Sequence, residues 1–310
     1  MDHLVIAVVG PTAAGKSDLA LDLATRLDAE IVNADAMQLY RGMDIGTAKV
    51  PAAERRGITH HQLDVLQVTE EASVAAYQRH GREDLQAIAG RGRAAIVVGG
   101  SGLYVRALLD DLNFPGTDPQ VRAGLEQRAA VEGTAALYAE LAAADPVAAD
   151  RIEARNTRRI VRALEVISIT GRPFSANLPE HRYAVPAIQI GIQVPRSDLH
   201  ERIETRTRSM FDAGLLAETE ELAARGLRGG RTARTAVGYT QALAVLAGTS
   251  TLADAITDTA TATRRLARRQ ITWFGKDPRV HWVPAGPDAL GAAMYRIEAE
   301  ATHLPGPGST

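Results

Sequence analysis

Gly10-Pro11-Thr12-Ala13-Ala14-Gly15-Lys16-Ser17 follows an apolar run, Leu4 to Val9, and opens an amphipathic run beginning at Asp18. The octet fits the phosphate-binding pattern G-x-x-x-x-G-K-[ST], and a strand before it with a helix after it is the context that gives the pattern meaning. A chain that turns from strand into helix aims several backbone N–H groups at one point, where the helix N-terminus adds partial positive charge. Lys16 adds a full charge at that point, and the Ser17 hydroxyl suits Mg2+. The stretch therefore predicts an α/β fold that holds a di- or triphosphate with Gly10, Pro11, Thr12, Ala13, Ala14, Gly15, Lys16 and Ser17. A turn that merely linked strand to helix would need neither Lys16 nor Ser17.

Working outward, Glu30-Ile31-Val32-Asn33-Ala34-Asp35 reads as a short strand with a carboxylate at its C-terminal end, the edge where open parallel sheets bind ligands. Asp35 then has three readings: a Mg2+-water ligand of an ATPase, a base acting on a second substrate, or a helix N-cap. Residues 1–114 alternate strand and helix signals, with strands at Leu4–Val9, Glu30–Asn33 and Ala94–Val98 and helices near 17–27 and 73–90, the latter starting at Ser73. Pro and Gly mark 113–119 as a linker. An alanine-rich, purely helical stretch runs from there to Gly171-Arg172-Pro173, and a strand at Ala187–Val194 resumes the core. Asp198 to Glu201 reads as a capping box for a helix running to about Ala224, and Thr251-x-x-Asp254 as a second helix start. The organisation expected is a parallel-sheet core at 1–114 and 186–310 with a helical insertion at 115–185. The tail Pro305–Thr310 is expected to be disordered.

The segment Ala36-Met37-Gln38-Leu39-Tyr40-Arg41-Gly42-Met43-Asp44-Ile45-Gly46-Thr47-Ala48-Lys49, together with the phosphate loop, closely resembles the bacterial tRNA dimethylallyltransferases, or isopentenyltransferases. The likeness continues through His60-His61-Gln62-Leu63-Asp64, Val97 to Tyr104, Arg158 to Val166, Val237-Gly238-Tyr239 and Arg268 to Phe274, in the family's order over nearly the whole chain. It implies a P-loop NTPase-like parallel sheet flanked by helices, with an inserted all-helical domain. It also implies that dimethylallyl diphosphate alkylates the exocyclic amine of the adenosine immediately 3′ of a tRNA anticodon. Diphosphate is then the leaving group, stabilised by the loop amides, Lys16 and a Mg2+ on Ser17, with a hydroxyl from Thr12. Asp35 becomes the base that orients the amine and takes its proton.

The resemblance further assigns Asp35, Ala36, Met37 and Gln38 to the target nucleotide. Many relatives have serine where this chain has Ala36, so any hydroxyl contact from that position is absent. Ser101, at another strand-to-helix turn, is implied beside the RNA, and is equally a helix N-cap by its position. Arg106, further along that helix, is placed to reach phosphate or solvent. Relatives carry a diphosphate-binding arginine just before the Gly-Tyr pair. Aligning Gly238-Tyr239 puts Thr235 there, with Arg234 one residue early as the candidate. Arg122 and the block Arg158, Arg159, Ile160, Val161 and Arg162 are implied to contact tRNA, although Glu153 and Glu165 are spaced to pair with these arginines.

Formal net charge is −2, so no global basic field attracts nucleic acid and binding must use local clusters. The clearest lies between Thr263 and Lys276. On a helix Arg264 and Arg268 share one face and Arg265 and Arg269 the adjacent one, a paired stripe that suits phosphates. Its alternative is a solvated helix face, and the resemblance is what turns Arg265, Arg268 and Arg269 toward tRNA. The chain has no cysteine, which excludes disulfides and thiolate metal sites. His60 and His61 are adjacent, which directs their side chains apart. With no signal segment or long apolar span, the chain is expected to be cytoplasmic, off the membrane and without an obligate protein partner. Two other classes share some of these features. A P-loop small-molecule kinase shares the loop and the base but leaves the arginine-rich helices unexplained. An inert RNA binder explains the arginines but not Asp35 beside Lys16 and Ser17.

Overall fold

The computed structural model describes residues 4–177 and 181–301, so the tail expected to be disordered lies outside the described residues. The chain forms two compact units, one built from residues up to Asp110 and from Tyr183 onward, the other from Asp111–Arg182.

The first unit is organised on a parallel sheet. Its elements up to the insertion are β1 (Val5–Val9), α1 (Lys16–Leu27), β2 (Glu30–Asn33), β3 (His60–His61), α2 (Val74–Gly90), β4 (Ala95–Val98) and α3 (Gly102–Leu109). All of β1 and β2 is buried, as strands covered on both faces must be. The insertion carries α4 (Pro119–Glu132), α5 (Thr134–Ala144), α6 (Pro146–Arg151) and α7 (Thr157–Thr170). After it come β5 (Ala187–Gln193), α8 (Arg196–Asp212), α9 (Leu215–Ala224), α10 (Tyr239–Leu246), α11 (Leu252–Phe274), β6 (Val280–Pro284) and α12 (Ala289–Ala301). The strand order is β3-β2-β4-β1-β5-β6 and every ladder is parallel. This is the P-loop NTPase-like class, a six-stranded sheet flanked by helices.

One face of the sheet packs Ile6, Val8, Ile31, Ile96 and Ile190 against Leu19 and Leu23 of α1 and Ala293 and Ile297 of α12. The other face is covered by α2 and α3. A separate apolar cluster, centred on Tyr40, Met43, Leu215, Leu222 and Tyr239, anchors the loop after β2 to α9 and α10. Because β1 lies between β4 and β5, the loops after β1, β2 and β4 meet at one sheet edge, where they form the site.

Two local expectations are corrected. The helix after β5 starts at Arg196 behind Pro195, so Asp198 lies in its first turn rather than capping it. A single helix to Ala224 is also replaced by α8 and α9, because Gly214 adopts φ 103, a left-handed conformation that ends one helix and begins the next. The Thr251 start holds: its hydroxyl accepts from the Asp254 amide at 3.1 Å.

In the second unit α4–α7 enclose a small core of Leu125, Leu137, Leu141, Ile160, Val161 and Leu164. Ile160 and Val161 are 0% and 3% exposed, which corrects their assignment to RNA contact: on an amphipathic helix they occupy the inward stripe. Arg122 and Arg162 both hydrogen-bond the Glu165 carboxylate, at 2.7 and 2.8 Å, and Arg162 also holds the carbonyls of Pro115 and Gly116. Arg158 and Arg159 are exposed.

Candidate active site

The phosphate loop closes through three left-handed residues, Gly10 (φ 133), Ala13 (φ 63) and Gly15 (φ 91). Gly10 also lacks room for a side chain, since a Cβ would lie 3.2 Å from the Ile192 carbonyl oxygen on β5. Lys16 begins α1 and its Nζ donates to the Pro11 carbonyl at 2.7 Å, which folds the ammonium back over the loop.

Asp35 leaves β2 in a tight frame. The Asn33 side chain accepts from the Asp35 amide at 3.0 Å and donates to the Asp35 and Gln62 carbonyls at 3.0 and 2.9 Å. The buried Tyr77 hydroxyl donates to the Asn33 carbonyl at 2.6 Å. One Asp35 oxygen accepts from the Met37 amide at 2.9 Å, an Asx turn rather than a helix cap, and the carboxylate stays on the cavity wall. The Gly99 backbone presses on Ala34, where a Cβ would meet the carbonyl oxygen at 2.2 Å. Ser101 stands at the N-cap position of α3 but makes no side-chain cap; its hydroxyl accepts from the Ala36 amide at 3.2 Å and so ties two loops together. Arg106 reaches neither phosphate nor solvent: it is buried against Asp110 at 2.6 Å.

The run to Lys49 is a structural staple. Lys49 is buried, and its Nζ donates to Asp44 and Asp64 at 2.6 Å each and to the Tyr40 carbonyl at 2.9 Å. Glu218 on α9 accepts from the amides of Asp44, Ile45 and Gly46 and from the Tyr239 hydroxyl at 2.5 Å. Gly46 is required there, because a Cβ would lie 2.4 Å from the Tyr239 ring. Gln38 donates to the Thr47 carbonyl at 3.1 Å, which secures the same loop.

Three cavities follow one another at this edge. The first, about 320 Å3, is lined by Thr12, Asp35, Ala36, Met37, Ser101, Arg206, Met210, Val237, Leu266 and Arg269. The second, about 860 Å3, is lined by Ala13 to Asp18, Lys49, Arg202, Arg206 and Met210. A third, about 70 Å3, shares Thr12, Asp35, Thr47 and Arg206 with the first and Lys16, Ser17, Ala48 and Arg206 with the second. Asp35 therefore stands between an end with apolar walls and an end formed by the phosphate loop, where Lys16, Lys49, Arg202 and Arg206 are joined by Asp18, Asp44, Glu54 and Glu201.

Arg206 is the cation that sequence reading missed. It projects from α8 into all three cavities, whereas Arg234 is exposed and its guanidinium lies 3.5 Å from the Arg228 carbonyl. The short helical turn that carries Arg234 points it outward, so Arg206 and not Arg234 lines these cavities. The signal for Arg206 was faint: four residues from Arg202 on a helix, within a run rich in arginine. Burial pulls the Lys16 ammonium down to about 8; Asp35 opposes that pull and Arg206 adds to it. Burial also lowers the Arg206 pKa, again against Asp35. Two cations here share a single carboxylate, so an added anion would relieve both. Of the basic stripe on α11, Arg264 pairs with Glu204 at 2.9 Å, while Arg265, Arg268 and Arg269 are exposed and Arg269 also lines the first cavity.

The family model described as IPP transferase matches residues 38–277. A tRNA dimethylallyltransferase of Streptomyces coelicolor is 60% identical over 282 residues, 91% of this chain and 90% of that protein. The crystal structure of a tRNA isopentenylpyrophosphate transferase from Bacillus halodurans matches with a TM-score of 0.70 at 35% identity, covering 97% of this chain and 100% of that one. A eukaryotic dimethylallyltransferase acting on tRNA matches with a TM-score of 0.83 at 25% identity, covering 97% and 80% respectively. The chain belongs to the IPP transferase family.

Proposed function

We propose that this chain transfers the dimethylallyl group of dimethylallyl diphosphate to the N6 amine of the adenosine immediately 3′ of a tRNA anticodon, releasing diphosphate. The observation that carries this reading is the placement of Asp35 where the first cavity meets the smallest one, with Lys16 and Ser17 on the side of the phosphate loop, Ala36, Met37, Ser101 and Arg269 on the other, and Arg206 reaching into both. A carboxylate so placed faces the acceptor amine while the cations face the leaving group.

In this reading the loop from Gly10 to Ser17 cradles the diphosphate, and Lys16 and Arg206 take up the charge that grows on it as the C–O bond breaks. Thr12 supplies a further hydroxyl at the same place. The amine's lone pair is delocalised into the ring, so Asp35 orients the amine and accepts its proton as the N–C bond forms. Met37, Met210, Val237 and Leu266 give the allyl group an apolar wall. Among the described residues no group of three or more His, Asp or Glu forms a metal cage. The Ser17 hydroxyl beside a bound diphosphate still fits Mg2+, which commonly takes one or two protein oxygens and completes its shell with phosphate and water. When bound there it would supply positive charge to the leaving group. Arg265, Arg268 and Arg269 on α11 and Arg158 and Arg159 on α7 are the side chains proposed to meet tRNA phosphates. Arg122 and Arg162 serve chiefly to hold Glu165.

The test is a paired incubation of the chain with Mg2+ and unmodified bacterial tRNA, once with labelled dimethylallyl diphosphate and once with γ-labelled ATP. Label on the adenosine 3′ of the anticodon is expected, lost about 10²- to 10⁴-fold in Asp35→Ala while diphosphate affinity persists. ATP consumption without allyl transfer would replace this reading with a kinase. An Asp35→Ala variant with near-normal turnover would remove Asp35 from the mechanism.

A further inference from the structure

Gln270 lies on the buried side of α11, 8% exposed, next to the exposed Arg269. Both ends of its amide are engaged by loops of the site. Its Oε1 accepts from the Thr12 amide at 2.8 Å, and its Nε2 donates to the Gly100 carbonyl at 3.1 Å. A Cβ on Gly100 would lie 2.2 Å from that nitrogen and 3.4 Å from the Gly10 carbonyl, so the two loops and the amide meet where no further atom fits. The next residue, Ser101, accepts from the Ala36 amide beside Asp35. A continuous path of hydrogen bonds and peptide units thus runs from Thr12 on the phosphate loop through Gln270, Gly100 and Ser101 to the residue following Asp35.

We infer that Gln270 is a positioning residue for the transfer: it fixes the phosphate loop relative to the loops that hold the acceptor, and so sets the distance between leaving group and base. The inference rests on the transferase reading above. Displacement at an allylic carbon needs leaving oxygen, carbon and attacking nitrogen held together near a line, and a misplacement of about 1 Å can cost about 10²-fold in rate. A primary amide of this length supplies an acceptor to one loop and a donor to the other at any pH. Each loop keeps another support, the Lys16 ammonium on the Pro11 carbonyl at 2.7 Å and the Gly99 amide on the Val8 carbonyl at 3.2 Å, so losing the bridge shifts register more than it empties either subsite.

Gln270→Met keeps length and volume and removes both bonds. It is expected to lower kcat for allyl transfer about 10- to 100-fold, with the KM for dimethylallyl diphosphate and the Kd for tRNA within about threefold of the parent and Tm little changed. Gln270→Glu keeps the acceptor for Thr12 and sets a carboxylate oxygen against the Gly100 carbonyl. Protonating that buried carboxyl restores a donor, so the ratio of its kcat to that of the parent is expected to rise as pH falls from about 8.5 to about 6. Parent-like kcat in Gln270→Met would overturn the inference. So would a loss in which kcat, both binding constants and Tm fall together, or a pH-independent ratio for Gln270→Glu. The parent chain is assayed alongside: absence of product there would sink the transferase reading itself, whereas product with parent-like variants would sink only the role of Gln270.

Discussion

At the scale of single residues the site is distinguished by an imbalance of charge. Lys16 and Arg206 face one shared carboxylate, Asp35, and burial has brought the Lys16 ammonium to about 8. A diphosphate entering beside Lys16 stabilises the charged form and so raises that value. Below about pH 8 the free site already carries the proton. Above it, binding must recruit one, so affinity for dimethylallyl diphosphate is expected to fall by up to about tenfold per pH unit. Titration calorimetry between about pH 7 and about 9.5 measures this, with Lys16→Met as the control that binds weakly and without the dependence. A parent chain whose donor affinity is flat across that window would contradict the charge state assigned to Lys16. Legibility was uneven at this scale. Lys16, Ser17 and Asp35 sit in short patterns whose geometry is local, while Arg206 is one arginine among several on α8 and becomes distinctive only where that helix passes the phosphate loop.

At the scale of elements, the insertion helices show how a family motif divides between surface and core. The block from Arg158 to Val166 presents Arg158 and Arg159 to solvent, buries Ile160 and Val161, and sinks Glu165 completely. Burial works against the Glu165 charge, and hydrogen bonds from Arg122, Arg162 and the Asp118 amide outweigh it, leaving the carboxyl below its usual range. A carboxyl depressed in the folded state adds stability above the pKa of the unfolded chain, and that contribution disappears as pH falls through the folded value. Glu165→Gln is expected to cost about 2 kcal/mol at neutral pH, less than a fully buried pair because both arginines keep contact with water. The difference should narrow as pH falls below the ordinary carboxylate range of about 4. Urea unfolding of parent and variant at the two pH values checks this, and an undiminished difference in acid would assign the loss to packing instead. The same division explains the correction at α8 and α9: a helical pattern reads straight through Gly214, and only the left-handed backbone there breaks it.

At the scale of the whole molecule, a net charge of −2 leaves RNA affinity to local stripes. Arg268→Ala together with Arg269→Ala should lower the slope of log affinity for tRNA against log salt by roughly 1.4, about 0.7 for each phosphate of a single-stranded loop that is no longer neutralised. The KM for dimethylallyl diphosphate should hold; filter binding across a salt series provides the readout, and an unchanged slope would place the RNA elsewhere. The amino-acid sequence by itself determined the phosphate-binding pattern, the buried strands β1, β2, β4 and β5, the carboxylate at the end of β2 and the helical nature of the insertion. Each of these is written in neighbours a few residues apart, through hydrophobic period, turn chemistry and motif spacing. Tertiary structure alone decided the rest. Gln270 meets Thr12 across 258 residues and Gly100 across 170, and Glu218 grips the Ile45 amide across 173. Gly46, Gly99 and Gly100 are required by backbones and side chains that arrive from elsewhere in the chain. Such partners are set by how the helices dock on a parallel sheet, and the packing that brings them within hydrogen-bond reach leaves no local pattern in the sequence to read.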